Sequence, residues 1–210
     1  MTTLPARITR AATGSGAITF VGAGEPDRVT WSQLHEEARS YAAVLQERGI
    51  SPGDHVALLG PTTRELVTAV EATWLAGATT VVLPLPMRMG AIDEFVSQTR
   101  QRILNADSAV VVADPSLAGF LVPEPGDPPV LLYPEIVAAA EDTLGFQTPK
   151  EDPSALAILQ FTSGSTSDPK GVMLPQEGVC NNIDAIAAGA RVDPSSDIVV
   201  SWLPLYHDMG

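Results

Sequence analysis

Residues 159 to 175 read LQFTSGSTSDPKGVMLP. An apolar run gives way to small hydroxyls, two glycines and one lysine, none of which can fill a core. That composition suits backbone that wraps an anion. Gly164 permits positive φ and close approach of a ligand. Ser163, Ser165 and Thr166 offer hydroxyl donors, and Lys170 carries a mobile positive charge. A strand leading straight through this loop into a helix would aim free amide N–H groups at a phosphate. On composition alone, phosphate binding and a plain polar turn stand level.

The flanks set the fold class. "ALAILQFT" enters the loop as an apolar strand, and "GVML" leaves it. A helix is expected over roughly 176–190, then a strand in "DIVVSWLP". The upstream half repeats the alternation. "AITFVG" and "RVT" read as short strands, and Thr30 with Gln33 has capping-box spacing ahead of a helix closed by Gly49. Leu34, Ala38, Tyr41 and Leu45 give that helix one apolar stripe. "HVALLG" is a strand, Thr62 with Glu65 repeats the capping-box spacing for a helix to about Ala76, and "ATTVVLPLP" is the next strand. "AIDEFVSQTRQRILNA" is amphipathic, while "SAVVVAD" and "VLLY" are apolar strands. Uniformly apolar strands alternating with helices predict an α/β fold, a layered parallel sheet with helices on both faces.

Two joints interrupt the pattern, the Pro- and Gly-rich "DPSLAGFLVPEPGDPP" and the polar "LGFQTPKEDPS". The second divides the chain into a first α/β subdomain, 1–150, and the start of a second, 151–210, carrying the loop.

Composition narrows the partners. The chain has 210 residues, 45% hydrophobic and 18% charged, which suits a packed core. Its net charge of -13, from 12 Lys+Arg against 25 Asp+Glu, argues against nucleic-acid or anionic-lipid binding. A bound phosphate must therefore be held locally. Cys180 is the single cysteine, which excludes an internal disulfide, and it reads as a small hydrophobe in a helix. The N-terminus lacks the apolar core of a secretory signal. The apolar region Val67 to Met87 is broken by Glu71, Gly77, Pro84 and Pro86, so no membrane span is expected. A cytoplasmic location follows as the expectation.

The loop is not a Walker A sequence, because Lys170 precedes Gly171 and a proline precedes the lysine. "GSGAITFVGAG" never completes the dinucleotide-binding G-x-G-x-x-G. "TSGSTSDPKG" instead resembles the phosphate-binding loop of the acyl-adenylate-forming superfamily, usually T-S-G-[ST]-T-G-x-P-K-G. Ser167 departs from that pattern, where glycine is usual. "SWLPLYHDMG", 201–210, looks like the corresponding motif of fatty acyl-AMP ligases, and the region around "RVTWSQLHEEARSYAAVLQERGISPGDHVALLG" is similar to the superfamily's N-terminal part.

The resemblance implies ATP-dependent activation of a fatty acid to acyl-AMP, with Mg²⁺ sharing the phosphate charge and pyrophosphate released. It assigns Thr162, Ser163, Gly164, Ser165, Thr166, Lys170 and Gly171 to the nucleotide, Thr166 also to the metal. Lys170 either touches phosphate or folds over it. His207 falls near the reacting carboxylate and α-phosphate, against the plain alternative of a capping or core histidine. Asp208 touches substrate or caps the helix beyond it, and Trp202 and Tyr206 line the acyl pocket or belong to the core. His35 reads as a helix-surface residue and His55 as a strand start, with no role for either.

The acceptor implied is a carrier-protein thiol, as in polyketide assembly, with coenzyme A as the rival. The superfamily's adenine-, ribose- and metal-binding acidic segments and its mobile C-terminal domain are not in the sequence. The expectation is thus the N-terminal part of an enzyme, inactive by itself. A non-catalytic nucleotide-binding module is the reading from another class.

Overall fold

The computed structural model describes residues 3–86, 92–140, 145–161 and 170–207. Helix α1 (Leu4–Ala11) precedes a hairpin of β1 (Ala17–Phe20) and β2 (Asp27–Thr30). Then follow α2 (Trp31–Glu47), β3 (His55–Leu59), α3 (Arg64–Leu75), β4 (Thr79–Val82), α4 (Ile92–Asn105) and β5 (Ser108–Ala113). A 3₁₀ turn (Pro115–Phe120) leads to β6 (Val130–Leu132), α5 (Tyr133–Ala140), β7 (Leu156–Phe161), β8 (Gly171–Pro175) and α6 (Gln176–Ala190).

Six strands form one sheet in the order β6-β5-β3-β4-β7-β8, parallel except for β8, which runs antiparallel to β7. The α/β fold is the one expected. Pleating sends alternate residues to opposite faces. Val56 and Leu58 join a core with α2, α3 and α5, while Ala57 and Leu59 join a second core with Ile103 of α4. The second joint, 144–154, does not divide the sheet, because β7 adds to β4.

Local chemistry explains the helix starts. Thr30 and Gln33 form the reciprocal capping box, and Gly49 leaves α2 at φ 93°, the left-handed conformation glycine tolerates. The α3 start departs from expectation. Its cap position is Thr63, without a side-chain cap bond, whereas the Thr62 hydroxyl accepts from the Leu205 backbone N–H at 3.3 Å. Thr62 is thus engaged by a distant segment and does not cap.

"DIVVSWLP" forms no strand. Residues 197–200 are irregular, with Ile198 89% and Val200 80% exposed. Extended backbone needs a neighbour to bond, and among the described residues none pairs with this segment. No helix of the described residues is long and apolar enough to cross a membrane.

Candidate functional site

The layer containing α2 and α3 does not close over the whole sheet. Between α3 and α6, above β4 and β7, lies a cleft of about 310 Å³. Parity of the strands turns Thr80 and Val82 of β4 and Ile158 and Gln160 of β7 toward it, and Leu159 also borders it. Val70 and Trp74, one turn apart on α3, form one wall, and Val179 and Asn182 of α6 form the other. The lining is mostly apolar with a few polar groups, and its volume lies at the low end of the roughly 300–1,000 Å³ common for ligand pockets. The Thr80 hydroxyl is buried there without a partner among the described residues.

At the C-terminal ends of the parallel strands the cleft meets residues 205–207. Thr62 holds Leu205, and Gln160 Nε2 donates to the Tyr206 carbonyl at 3.4 Å. Tyr206 and His207 line this end, His207 exposed. The anion-type loop leaves the sheet here as well, since it connects Phe161 of β7 to Lys170, which precedes β8 and is exposed. Thr162, Ser163, Gly164, Ser165 and Thr166 lie outside the described residues, as does Asp208. Trp202 is 87% exposed and does not line the cleft.

The strand–loop–helix expectation needs correction at this point. The loop joins two antiparallel strands, and β8 separates it from α6. The Gln176 and Glu177 amides donate to the carbonyls of Ala155 and Pro153, before the start of β7. The N-terminus of α6 therefore sits at the opposite end of the sheet and cannot aim its dipole at the loop. Gly171 has a packing reason for lacking a side chain: a Cβ would meet Leu159 Cδ1 at 2.8 Å.

At its other end the cleft is floored. Trp74 Nε1 donates to the Ala157 carbonyl at 2.9 Å, and its ring packs in a cluster with Leu4, Ile8, Ala157, Ile158, Val179 and Cys180. Helix α1 bridges beneath, from α3 to α6. The Leu4 N–H donates to buried Gln176 Oε1 at 2.9 Å, and Arg7 grips Asp184 through both carboxylate oxygens at 2.6 Å. Burial pushes the Cys180 thiol above its ordinary value, so it acts as the small hydrophobe expected.

One histidine falls differently from its reading in sequence, while His55 starts β3 as expected. His35 is not on a helix surface but buried between α2 and α3, its Nδ1 2.6 Å from Glu71 Oε1. Burial pushes the Glu71 carboxyl above its ordinary value, and the His35 contact pulls it partly back. An acid inside the apolar run of α3 was the available signal for a buried partner. His55 hydrogen-bonds the Ala106 carbonyl.

Residues 8–210 match the family of AMP-binding enzymes. The chain belongs to that family. It is 34% identical over 200 residues to long-chain-fatty-acid–AMP ligase FadD26 of Mycobacterium tuberculosis, covering 89% of this chain and 32% of the relative. The structure of a fatty acyl-adenylate ligase from L. pneumophila, in complex with acyl adenylate and pyrophosphate, superposes with a TM-score of 0.87 at 26% identity, over 99% of this chain and 36% of that one. A fatty acyl-adenylate ligase structure from work on the E. coli and L. pneumophila enzymes gives 0.90 at 28%, over 100% and 38%. The chain spans about a third of the length of the curated relatives it matches. The AMP-binding chain thus shares its fold with the N-terminal part of adenylate-forming enzymes, and ATP use is typical of that family.

Proposed function

We propose that this AMP-binding chain contributes the acid-binding and phosphate-gripping part of a cytoplasmic enzyme that activates a fatty acid as its acyl-adenylate. The observation that carries this reading is the apolar cleft, which reaches His207 and, at Gln160, the β7 flank of the 162–169 loop. An aliphatic tail entering it would leave the carboxylate at the polar end, where a nucleotide phosphate would also lie.

A carboxylate oxygen attacks the α-phosphorus of ATP, the bond from that phosphorus to the bridging oxygen breaks, and pyrophosphate leaves with the electron pair. Such a step depends on positioning and on neutralising the departing charge. In this reading Thr162, Ser163, Gly164, Ser165, Thr166 and Lys170 hold the β- and γ-phosphates. His207, exposed at the opening, orients the carboxylate or donates to the charge that develops. Tyr206 borders the acid, and Asp208 caps or contacts substrate beside it.

Among the described residues no group of three or more His, Cys, Asp or Glu side chains gathers to hold a metal. Mg²⁺ carried chiefly by the substrate phosphates, with Thr166 as the proposed protein ligand, would supply charge neutralisation. A carrier-protein thiol then attacks the acyl carbonyl and AMP leaves. Relatives carry both kinds of name, fatty-acid–AMP ligase and fatty-acid–CoA ligase, so coenzyme A stands as the alternative acceptor.

The test is ATP–pyrophosphate exchange by the full-length protein with and without fatty acid. Exchange should require the acid and fall about 100-fold in Lys170→Ala, the scale for losing one preorganised charge stabiliser. Exchange that ignores either change would sink the proposal. Supplying coenzyme A in parallel with a loaded carrier protein decides the acceptor.

A further inference from the structure

The cleft has a polar end and an apolar end, and the apolar end is closed by a partition whose largest side chain is held from behind. Trp74 lines the cleft and at the same time belongs to the cluster beneath it, with Leu4 and Cys180. Ile158 and Val179 share that double membership, so these three side chains form the partition between cleft and cluster. The indole is also pinned, by its N–H bond to the Ala157 carbonyl. Ala157 lies four strand residues before Phe161, about 13 Å at 3.3 Å per residue.

Resting on the fatty-acid reading above, we propose that Trp74 is the specificity-determining residue that ends the acyl channel and so sets the chain length accepted. An acid seated with its carboxylate by His207 runs its tail down between α3 and α6 until the terminal methyl meets the indole face. Removing the ring would lengthen the channel by the volume the indole fills, toward the cluster under α1 that Leu4 and Ile8 keep apolar. Each further methylene buried there should raise kcat/KM about fourfold, the equivalent of about 0.8 kcal/mol. Val70, one turn up the same wall, offers the opposite change, since a larger side chain there shortens the channel above Trp74.

The experiment is acid-dependent ATP–pyrophosphate exchange by the full-length protein, with saturated fatty acids of increasing length. Trp74→Ala should move the optimum to longer acids, mainly through KM, and Val70→Phe should move it to shorter ones. Val70→Phe leaves the Trp74 bond in place, so it carries the test if Trp74→Ala does not fold. An optimum unchanged in both folded variants, or an equal loss at every length, overturns the assignment and leaves Trp74 a packing residue. Exchange by the unsubstituted protein with none of the acids overturns the fatty-acid reading itself, before any variant is compared.

Discussion

Strands β3 and β8 share a sheet and a similar apolar composition, yet their side chains meet different fates. Val56 to Leu59 of β3 have strands on both sides and packed layers on both faces, and all four are fully buried. In β8, on the sheet edge, Val172 and Met173 are exposed. Residues 198–202 carry the comparison one step further, since with no strand beside them among the described residues they adopt no regular structure. Apolar content makes a strand possible, and neighbours decide whether it forms and what it buries.

The packed half should be far less tolerant of substitution than the edge, and the largest effect is expected under α2 and α3. His35→Ala leaves Glu71 buried without its partner and should cost about 3–5 kcal/mol, read from urea unfolding. A loss below about 1 kcal/mol would mean that water or a proton replaces the imidazole easily, and that this region is less closed than its burial implies. Next comes the direct comparison of the two strands. Leu58→Ala should cost about 2–5 kcal/mol, and Met173→Ala within about 0.5 kcal/mol. Equal losses would erase the distinction between interior and edge. A more local effect sharpens the boundary between the halves. Gln176→Ala leaves the buried Leu4 amide unsatisfied, at a cost of about 1–3 kcal/mol, and should speed proteolysis within residues 4–11 while sparing the β3 region. Unchanged cleavage there would show that Arg7 and the apolar contacts alone hold α1 down.

What the sequence reveals follows the range of the interaction. The capping box at Thr30 and Gln33 is complete within four residues, so its spacing is sufficient to read it. The same spacing at Thr62 and Glu65 misleads, because Leu205 claims the threonine from far along the chain. "DIVVSWLP" misleads for the same reason in reverse: its propensity is local, but pairing is not. The loop is legible in composition, whereas its place between antiparallel strands depends on the β7–β8 ladder. The cleft was not legible at all. Its walls come from α3, β4, β7, α6 and residues 205–207, which no short motif links. His207 and Tyr206 are brought to it while Trp202 is not, a separation that residue spacing alone does not convey.

The contact between Leu4 and Gln176 spans 172 positions of sequence. During synthesis α1 leaves the ribosome ahead of the sheet, and its seat on α6 does not exist until the residues between them have been made. At roughly 5–20 residues per second that is a wait on the order of ten to thirty seconds. Throughout that interval Leu4 and Ile8 can meet Trp74 of α3 but not Val179 and Cys180 of α6, so half of their apolar seat is still missing.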